Sequence, residues 1–189
     1  MVDARRGMRG IRYGWWAVRS TLLLRWYRLM FRDFRAGRGV TLGRGVYINV
    51  VKGGHLHLGD GAAVEAYCSL VAEGALTIGP RAFIGAGSMI VANERVTIGA
   101  DALIAAYVTI RDHDHRFDDR GIPYNRQGLA TAPIEIGDNV WLGTKVTVLK
   151  GVSIGSDSIV GANAVVTSSL AHASVAVGIP ARVIRKSQS

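Results

Sequence analysis

Aliphatic residues recur at a fixed step of six along the C-terminal part of this chain, at Ile136, Leu142, Val148, Ile154, Val160 and Val166, with mostly small, polar or turn-forming residues between them. A helix would space its apolar positions three and four apart and a half-buried strand two apart. A step of six describes neither, and fits short strands stacked as the coils of a solenoid. The pattern extends backward in shorter runs: Leu58, Val64, Leu70 and Leu76; Ile78, Ile84, Ile90 and Val96; Ile98, Ile104 and Ile110. Glycine follows the aliphatic at Gly43, Gly59, Gly79, Gly85, Gly99, Gly137, Gly143, Gly155 and Gly161, where a turn needs a positive φ or a close backbone approach.

Three such hexads make one turn of a three-sided prism of parallel strands, so the coils should repeat every 18 residues, as they do from Ile136 to Ile154. From Leu58 to Ile78 and from Ile78 to Ile98 the step is 20, one coil plus a two-residue insertion at a corner. From Ile98 to Ile136 it is 38, one coil plus 20 further residues. Solenoids accept insertions at corners because each coil touches only its neighbours, and insertions gather on functional faces. The segment of about Arg111 to Thr131 is the largest departure from the repeat, and is therefore where chemistry is sought.

Ahead of the repeats, Arg25, Arg28, Arg32 and Arg35 form one helical stripe within the segment Trp15 to Phe34, and Trp15, Leu22, Trp26 and Leu29 take another face, with Leu23, Tyr27 and Met30 beside it. The segment is predicted to be an amphipathic helix, within an N-terminal appendage over 1–39 that precedes a β-solenoid domain over 40–189. Arg19 and Arg25 interrupt the apolar run well short of the ~20 residues a membrane span needs, and no small-residue cleavage site follows a clean apolar core. Two readings stand: a cap on the open end of the solenoid, and peripheral docking on an anionic membrane.

The 189 residues carry a formal charge of +9, with arginines crowded into the first 44 positions and again at Arg182, Arg185 and Lys186. This implies an acidic partner. No nucleic-acid module is recognisable, so nucleic acid is not expected among the partners. Cys68 is the only cysteine, which rules out an internal disulfide framework and suits a cytoplasmic location; its expected role is a small buried hydrophobe.

Two of the five histidines, His113 and His115, lie in the large insertion. Histidine is the natural base for an alcohol proton at neutral pH. A metal site would need about three converging ligands, and the two rings are expected to diverge along an extended segment, so no metal is expected. His55, His57 and His172 have no supporting constellation, and there is no P-loop, nucleophile elbow or dinucleotide fingerprint.

Three stretches are more specific than the hexads: His115-Arg-Phe-Asp118, Ile136-Gly-Asp-Asn-Val-Trp-Leu-Gly143 and Val177-Gly-Ile-Pro-Ala-Arg-Val-Ile184. Through them the chain, from about Val40 to Lys186, resembles the hexapeptide-repeat acyltransferases, and among these the galactoside and maltose O-acetyltransferases and the xenobiotic acetyltransferases. The resemblance implies a left-handed parallel β-helix, a hand that periodicity alone does not show and that runs against the usual crossover rule. It also implies a homotrimer with active sites between prisms, and acetyl-CoA as co-substrate. In that frame His115 falls on the general base that activates an acceptor hydroxyl for direct attack on the thioester. A backbone N–H near Gly143 or Thr144 holds the oxyanion, and Trp141, Gly143, Thr144, Ala162, Thr167, Ser168, Arg182 and Arg185 line the CoA channel. On the acceptor side stand Gly85 and Asn93, where the galactoside enzymes have an asparagine and an aspartate, together with Asp114. These departures, and the arginine-rich N-terminus, point away from free galactoside or maltose and toward a glycan or polysaccharide precursor. An antibiotic hydroxyl is the rival acceptor, and a non-catalytic β-helix scaffold the rival from another class.

Overall fold

The computed structural model describes residues 19–51 and 53–186. The hexads build three parallel sheets that wind about a common core in a left-handed β-helix of about seven turns. The first face stacks Phe34–Ala36, His55–Leu58, Ala75–Ile78, Arg95–Ile98, Ile134–Ile136 and Ser153–Ile154. The second stacks Thr41–Leu42, Ala63–Val64, Phe83–Ile84, Leu103–Ile104, Trp141–Leu142, Ile159–Val160 and Ser174–Val177, and is closed by the antiparallel strand Arg182–Lys186. The third stacks Tyr47–Val50, Ser69–Ala72, Met89–Ala92, Thr109–Arg111, Thr147–Val148 and Val165–Val166.

The register is the one the repeat arithmetic requires. Leu58, Ile78, Ile98, Ile136 and Ile154 are successive partners on the first face, so steps of 20, 38 and 18 residues all return to the same place in the coil. Their side chains point inward and are at most 2% exposed, each contributing about 1.5–3 kcal/mol of apolar burial. The repeat begins earlier than Val40: Phe34–Ala36 already pairs with Leu56–Leu58, which moves the solenoid's start back into the expected appendage.

The two reasons considered for the hexad glycines separate cleanly. Positive φ falls two residues later, at Gly61, Arg81, Asp101, Asn139 and Asp157 on the edge between first and second faces, and at Gly45, Tyr67, Gly87, Tyr107, Lys145 and Asn163 on the edge between second and third. The hexad glycines instead lie under the next coil. A Cβ on Gly79 would stand 2.5 Å from the carbonyl carbon of Gly99, so the coil spacing itself excludes a side chain. Gly79→Ala is expected to cost about 2 kcal/mol, read as a drop of roughly 5 °C in Tm; an unchanged Tm would show that the coils can part at no cost.

The edge between third and first faces is built differently, without the repeated left-handed residue of the other two. Here lie the two-residue insertions, Glu73-Gly74 and Asn93-Glu94, and here the long insertion leaves the coil between Arg111 and Ile134.

The N-terminal helix occupies residues 19–30 of the described chain, ending short of the expected Phe34 because the chain must turn there into the first coil. The expected position Trp15 lies outside the described residues. The helix caps the prism. Ser20 is 1% exposed, accepts the Leu42 N–H at 3.0 Å and donates to the Leu42 carbonyl at 3.3 Å; Arg19 donates to the same carbonyl at 2.9 Å, and the Tyr27 hydroxyl to that of Val46 at 3.2 Å. These bonds engage polar groups of the first coil that have no earlier coil to meet. The other end is closed by the Gly178–Ala181 turn, which includes a cis Ile179–Pro180 peptide and pairs with both backbone groups of Val165.

Candidate active site

The insertion is a hairpin, not an unstructured loop. His113–His115 pairs antiparallel with Leu129–Thr131, and the segment between is stapled by Gln127, which receives the Asp119 N–H and donates to the Asp119 and Ile122 carbonyls, before a short 3-10 turn at Tyr124–Arg126. Its root is Asp112. This carboxylate is fully buried and accepts the backbone N–H groups of Asn93, Glu94 and Arg95, each at 2.8 Å. One coil earlier, Glu73 N–H and Gly74 N–H bond to the Ala92 carbonyl at the corresponding corner. Where the hairpin departs there is no such following corner, and the Asp112 side chain takes its place. No repeat-based reasoning singles out Asp112; the signal was its position at the first residue after the last regular strand.

The two histidines lie on one strand two positions apart, so they share a side of the hairpin and do not diverge as expected. His113 is the inner one. It is 8% exposed, with Nδ1 3.4 Å from Asp112 Oδ1 and Nε2 3.0 Å from the Arg111 guanidinium. His115 is the outer one, exposed to solvent. Asp114 points the other way and is tied to Lys150 Nζ at 2.6 Å, which fastens the hairpin to a later coil. Among the described residues no group of three or more His, Cys, Asp or Glu could hold a metal ion.

The other expected residues fall elsewhere on the prism. Thr144 and Ala162 sit one coil apart on the edge between second and third faces, where the Asn163 N–H reaches the Thr144 carbonyl at 2.9 Å. Trp141 stands on the outside of the second face, 48% exposed. Arg182 and Arg185 are exposed on its closing strand. Thr167 and Ser168 are exposed on the same edge as the hairpin, in the last coil. Within one chain the second face lies across the prism from the edge that bears His115, so one prism does not unite the two groups.

Two assignments change. Gly143 donates its N–H to the Val160 carbonyl at 2.8 Å, so its amide belongs to the coil; Thr144, one residue on, has no N–H partner among the described residues. Gly85 is buried, its N–H bonded to the Ile104 carbonyl at 2.7 Å and its Cβ position filled by Ala105 backbone, so it offers nothing to an acceptor. Asn93 remains at the hairpin root: its Nδ2 donates to Glu73 at 2.9 Å, which leaves Oδ1 buried without a donor. Burial pushes the Cys68 thiol up from its ordinary value, and the side chain lies inside the core, which excludes it as a nucleophile at neutral pH.

A groove of 770 Å³ runs along the first face, lined among others by Arg95, Glu135, Ser156 and His172. It contains none of the residues expected to act on an acyl group. The clustered chemistry is at the hairpin.

A prism of hexapeptide coils interrupted once by a histidine-bearing hairpin defines a class, and comparison with known proteins agrees with it. Residues 133–168 match the bacterial transferase hexapeptide (six repeats) family model, and residues 75–111 match the hexapeptide repeat of succinyl-transferase. The chain belongs to the hexapeptide-repeat family. Among curated proteins it is 42% identical over 84 residues to the probable acetyltransferase Rv3034c of Mycobacterium tuberculosis, a match covering 44% of this chain and 28% of that protein. It is likewise 42% identical over 89 residues to WbbJ of Escherichia coli K12, a putative lipopolysaccharide biosynthesis O-acetyl transferase, covering 43% of this chain and 45% of the relative. The matches thus span less than half the length of either relative. Among solved structures, AntD, an N-acyltransferase from Bacillus cereus in complex with dTDP and coenzyme A, superposes with a TM-score of 0.74 at 22% identity over 87% of this chain and 88% of its own, a likeness of fold.

Proposed function

We propose that the protein is an acetyl-CoA-dependent O-acetyltransferase acting on a hydroxyl of a sugar or glycan precursor. The observation that carries this reading is the hairpin: a regular prism is interrupted once, and the interruption presents a histidine pair on one side, with the inner ring fixed and the outer ring free to meet a ligand. The relatives' names, which include lipopolysaccharide O-acetyl transfer, support a carbohydrate acceptor over an antibiotic.

In this mechanism His115 Nε2 or Nδ1 takes the proton from the acceptor hydroxyl as its oxygen attacks the thioester carbonyl carbon. The Thr144 N–H holds the developing oxyanion, a contribution of about 3 kcal/mol. The C–S bond then breaks, the imidazolium returns the proton to the departing sulfur, and the products are the acetyl ester and free CoA. His113, with both ring nitrogens engaged by Asp112 and Arg111, positions the strand; Asn93 and Asp114 flank the acceptor. Trp141, Ala162, Thr167, Ser168, Arg182 and Arg185 serve CoA, the arginines on its phosphates. Release of free thiol from acetyl-CoA with a panel of nucleotide sugars, glycan fragments and antibiotics tests the reading. Turnover only with antibiotics would move the enzyme to the xenobiotic branch, and failure to bind CoA at millimolar concentration would leave a scaffold.

The working unit is proposed to be a trimer. Phe83, Leu103, Trp141 and Ile159 are consecutive partners on the outside of the second face, an apolar ladder in which Leu103 and Trp141 are 45% and 48% exposed. Phe117, Ile122 and Tyr124 are exposed on the hairpin. Apolar surfaces of this kind are covered in assemblies, and bringing the hairpin of one prism to the second-face side of another would unite the separated groups. Light scattering should give three times the 20.2 kDa chain mass, and Leu103→Arg should lower the mass and abolish turnover together. A monomer that still turns over would defeat the shared site.

A further inference from the structure

The capping helix is apolar on two opposite sides, and packing against the solenoid accounts for only one. Ser20, Leu24 and Tyr27 face the first coil and are 1–7% exposed. Burial raises the Tyr27 hydroxyl's pKa, in keeping with that seat. On the far side Leu22, Trp26, Leu29 and Met30 follow the i, i+4, i+7, i+8 spacing of a single stripe and are 61%, 51%, 83% and 56% exposed. A helix that merely capped a soluble prism would carry polar residues there.

The charge around this stripe is of one sign. Between residues 19 and 44 stand Arg19, Arg25, Arg28, Arg32, Arg35, Arg38 and Arg44, against Asp33 as the single acidic residue. Arg25, Arg28 and Arg38 line a cleft of 530 Å³ between the helix and the first coil. Arg28 donates to the Ala36 carbonyl and Arg38 pairs with Asp60 at 3.3 Å, contacts that hold both guanidinium groups at the cleft. Among the described residues no helix is long and apolar enough to cross a membrane. An apolar stripe centred on a tryptophan, beside clustered arginines, on a helix too short to span is the composition of an interfacial helix.

We propose that helix 19–30 docks this end of the prism on an anionic lipid surface. Leu22, Trp26, Leu29 and Met30 enter the boundary between headgroups and acyl chains, and Arg25, Arg28 and Arg38 meet the lipid phosphates. This stands apart from the acyl-transfer reading and survives its failure. A second copy of the chain is the competing occupant of the stripe, and the arginine cluster disfavours it, since two such ends would repel.

Flotation of the full chain with vesicles tests the proposal. The protein should float with phosphatidylcholine vesicles containing phosphatidylglycerol and remain behind with phosphatidylcholine alone. The triple substitution L22Q/W26Q/L29Q changes only exposed side chains, so Tm should hold while vesicle affinity falls by about tenfold or more. Arg25→Glu should weaken binding by about fivefold or more, a difference that shrinks as salt screens the surface. Absence of flotation with anionic vesicles at low salt would overturn the proposal, and so would a triple variant that floats as well as the parent. A triple variant whose oligomeric mass falls in solution would assign the stripe to a contact between copies and overturn it equally.

Discussion

Replacing His115 with alanine is expected to lower kcat by about 10²–10⁴-fold, the usual loss when a general base is removed, with CoA affinity and Tm nearly unchanged. The separation of effects follows from position. His115 is exposed on a hairpin outside the coil stack, so its loss removes no core contact, and a base acts in the transition state more than in binding. His113→Ala should show the opposite balance. Its ring is buried beside Asp112 and Arg111, so truncation should lower Tm and reduce turnover only as far as the hairpin loosens. The inner histidine is nonetheless the one with a carboxylate neighbour, a geometry that could orient a base. If His113→Ala is inactive at unchanged Tm while His115→Ala retains activity, the roles are reversed and the register of the acceptor groove shifts inward by one pair.

Asp112→Ala should be the most destabilising single substitution in the hairpin region. Three backbone N–H groups, from Asn93, Glu94 and Arg95, would lose a charged acceptor at 2.8 Å in a corner that the fully buried side chain now fills. Buried donors left unpaired cost about 1–3 kcal/mol each, so allowing for partial relaxation the loss is about 4 kcal/mol, on the order of 10 °C in Tm. Asp112→Asn keeps an oxygen for part of the set and should fall between. A Tm within a degree or two of the parent for Asp112→Ala would show that water or a shifted backbone replaces the carboxylate. Activity measured below the lowered Tm then tells whether Asp112 also positions His113.

The solenoid was readable in the sequence because the coil is a local and repetitive object. Each inward position is set by its own hexad, so Leu58, Ile78 and Ile98 announce their stacking by spacing alone, and even the two-residue insertions could be assigned to corners before the corner was known. The extent of the insertion was readable for the same reason, as 20 residues that the repeat could not absorb. What lies at contacts between coils, or beyond the coil, was not legible. Spacing did not distinguish a glycine needed for its φ from one needed for lack of a Cβ; the approach of Gly99 to Gly79 decides that. It gave no hint that Asp112 would stand in for an absent corner, because its three partners lie 17 to 19 residues earlier and only the departure of the hairpin leaves them open. The helical stripe was visible, but which side of the helix is buried depended on the first coil, and the coil chose Ser20, Leu24 and Tyr27 over the more apolar Leu22, Trp26 and Leu29. Periodicity fixes what a residue does within its own element; which of its surfaces meets another element, and which is left for a partner, is fixed by tertiary packing, where the free energy of covering one surface competes with that of covering every other.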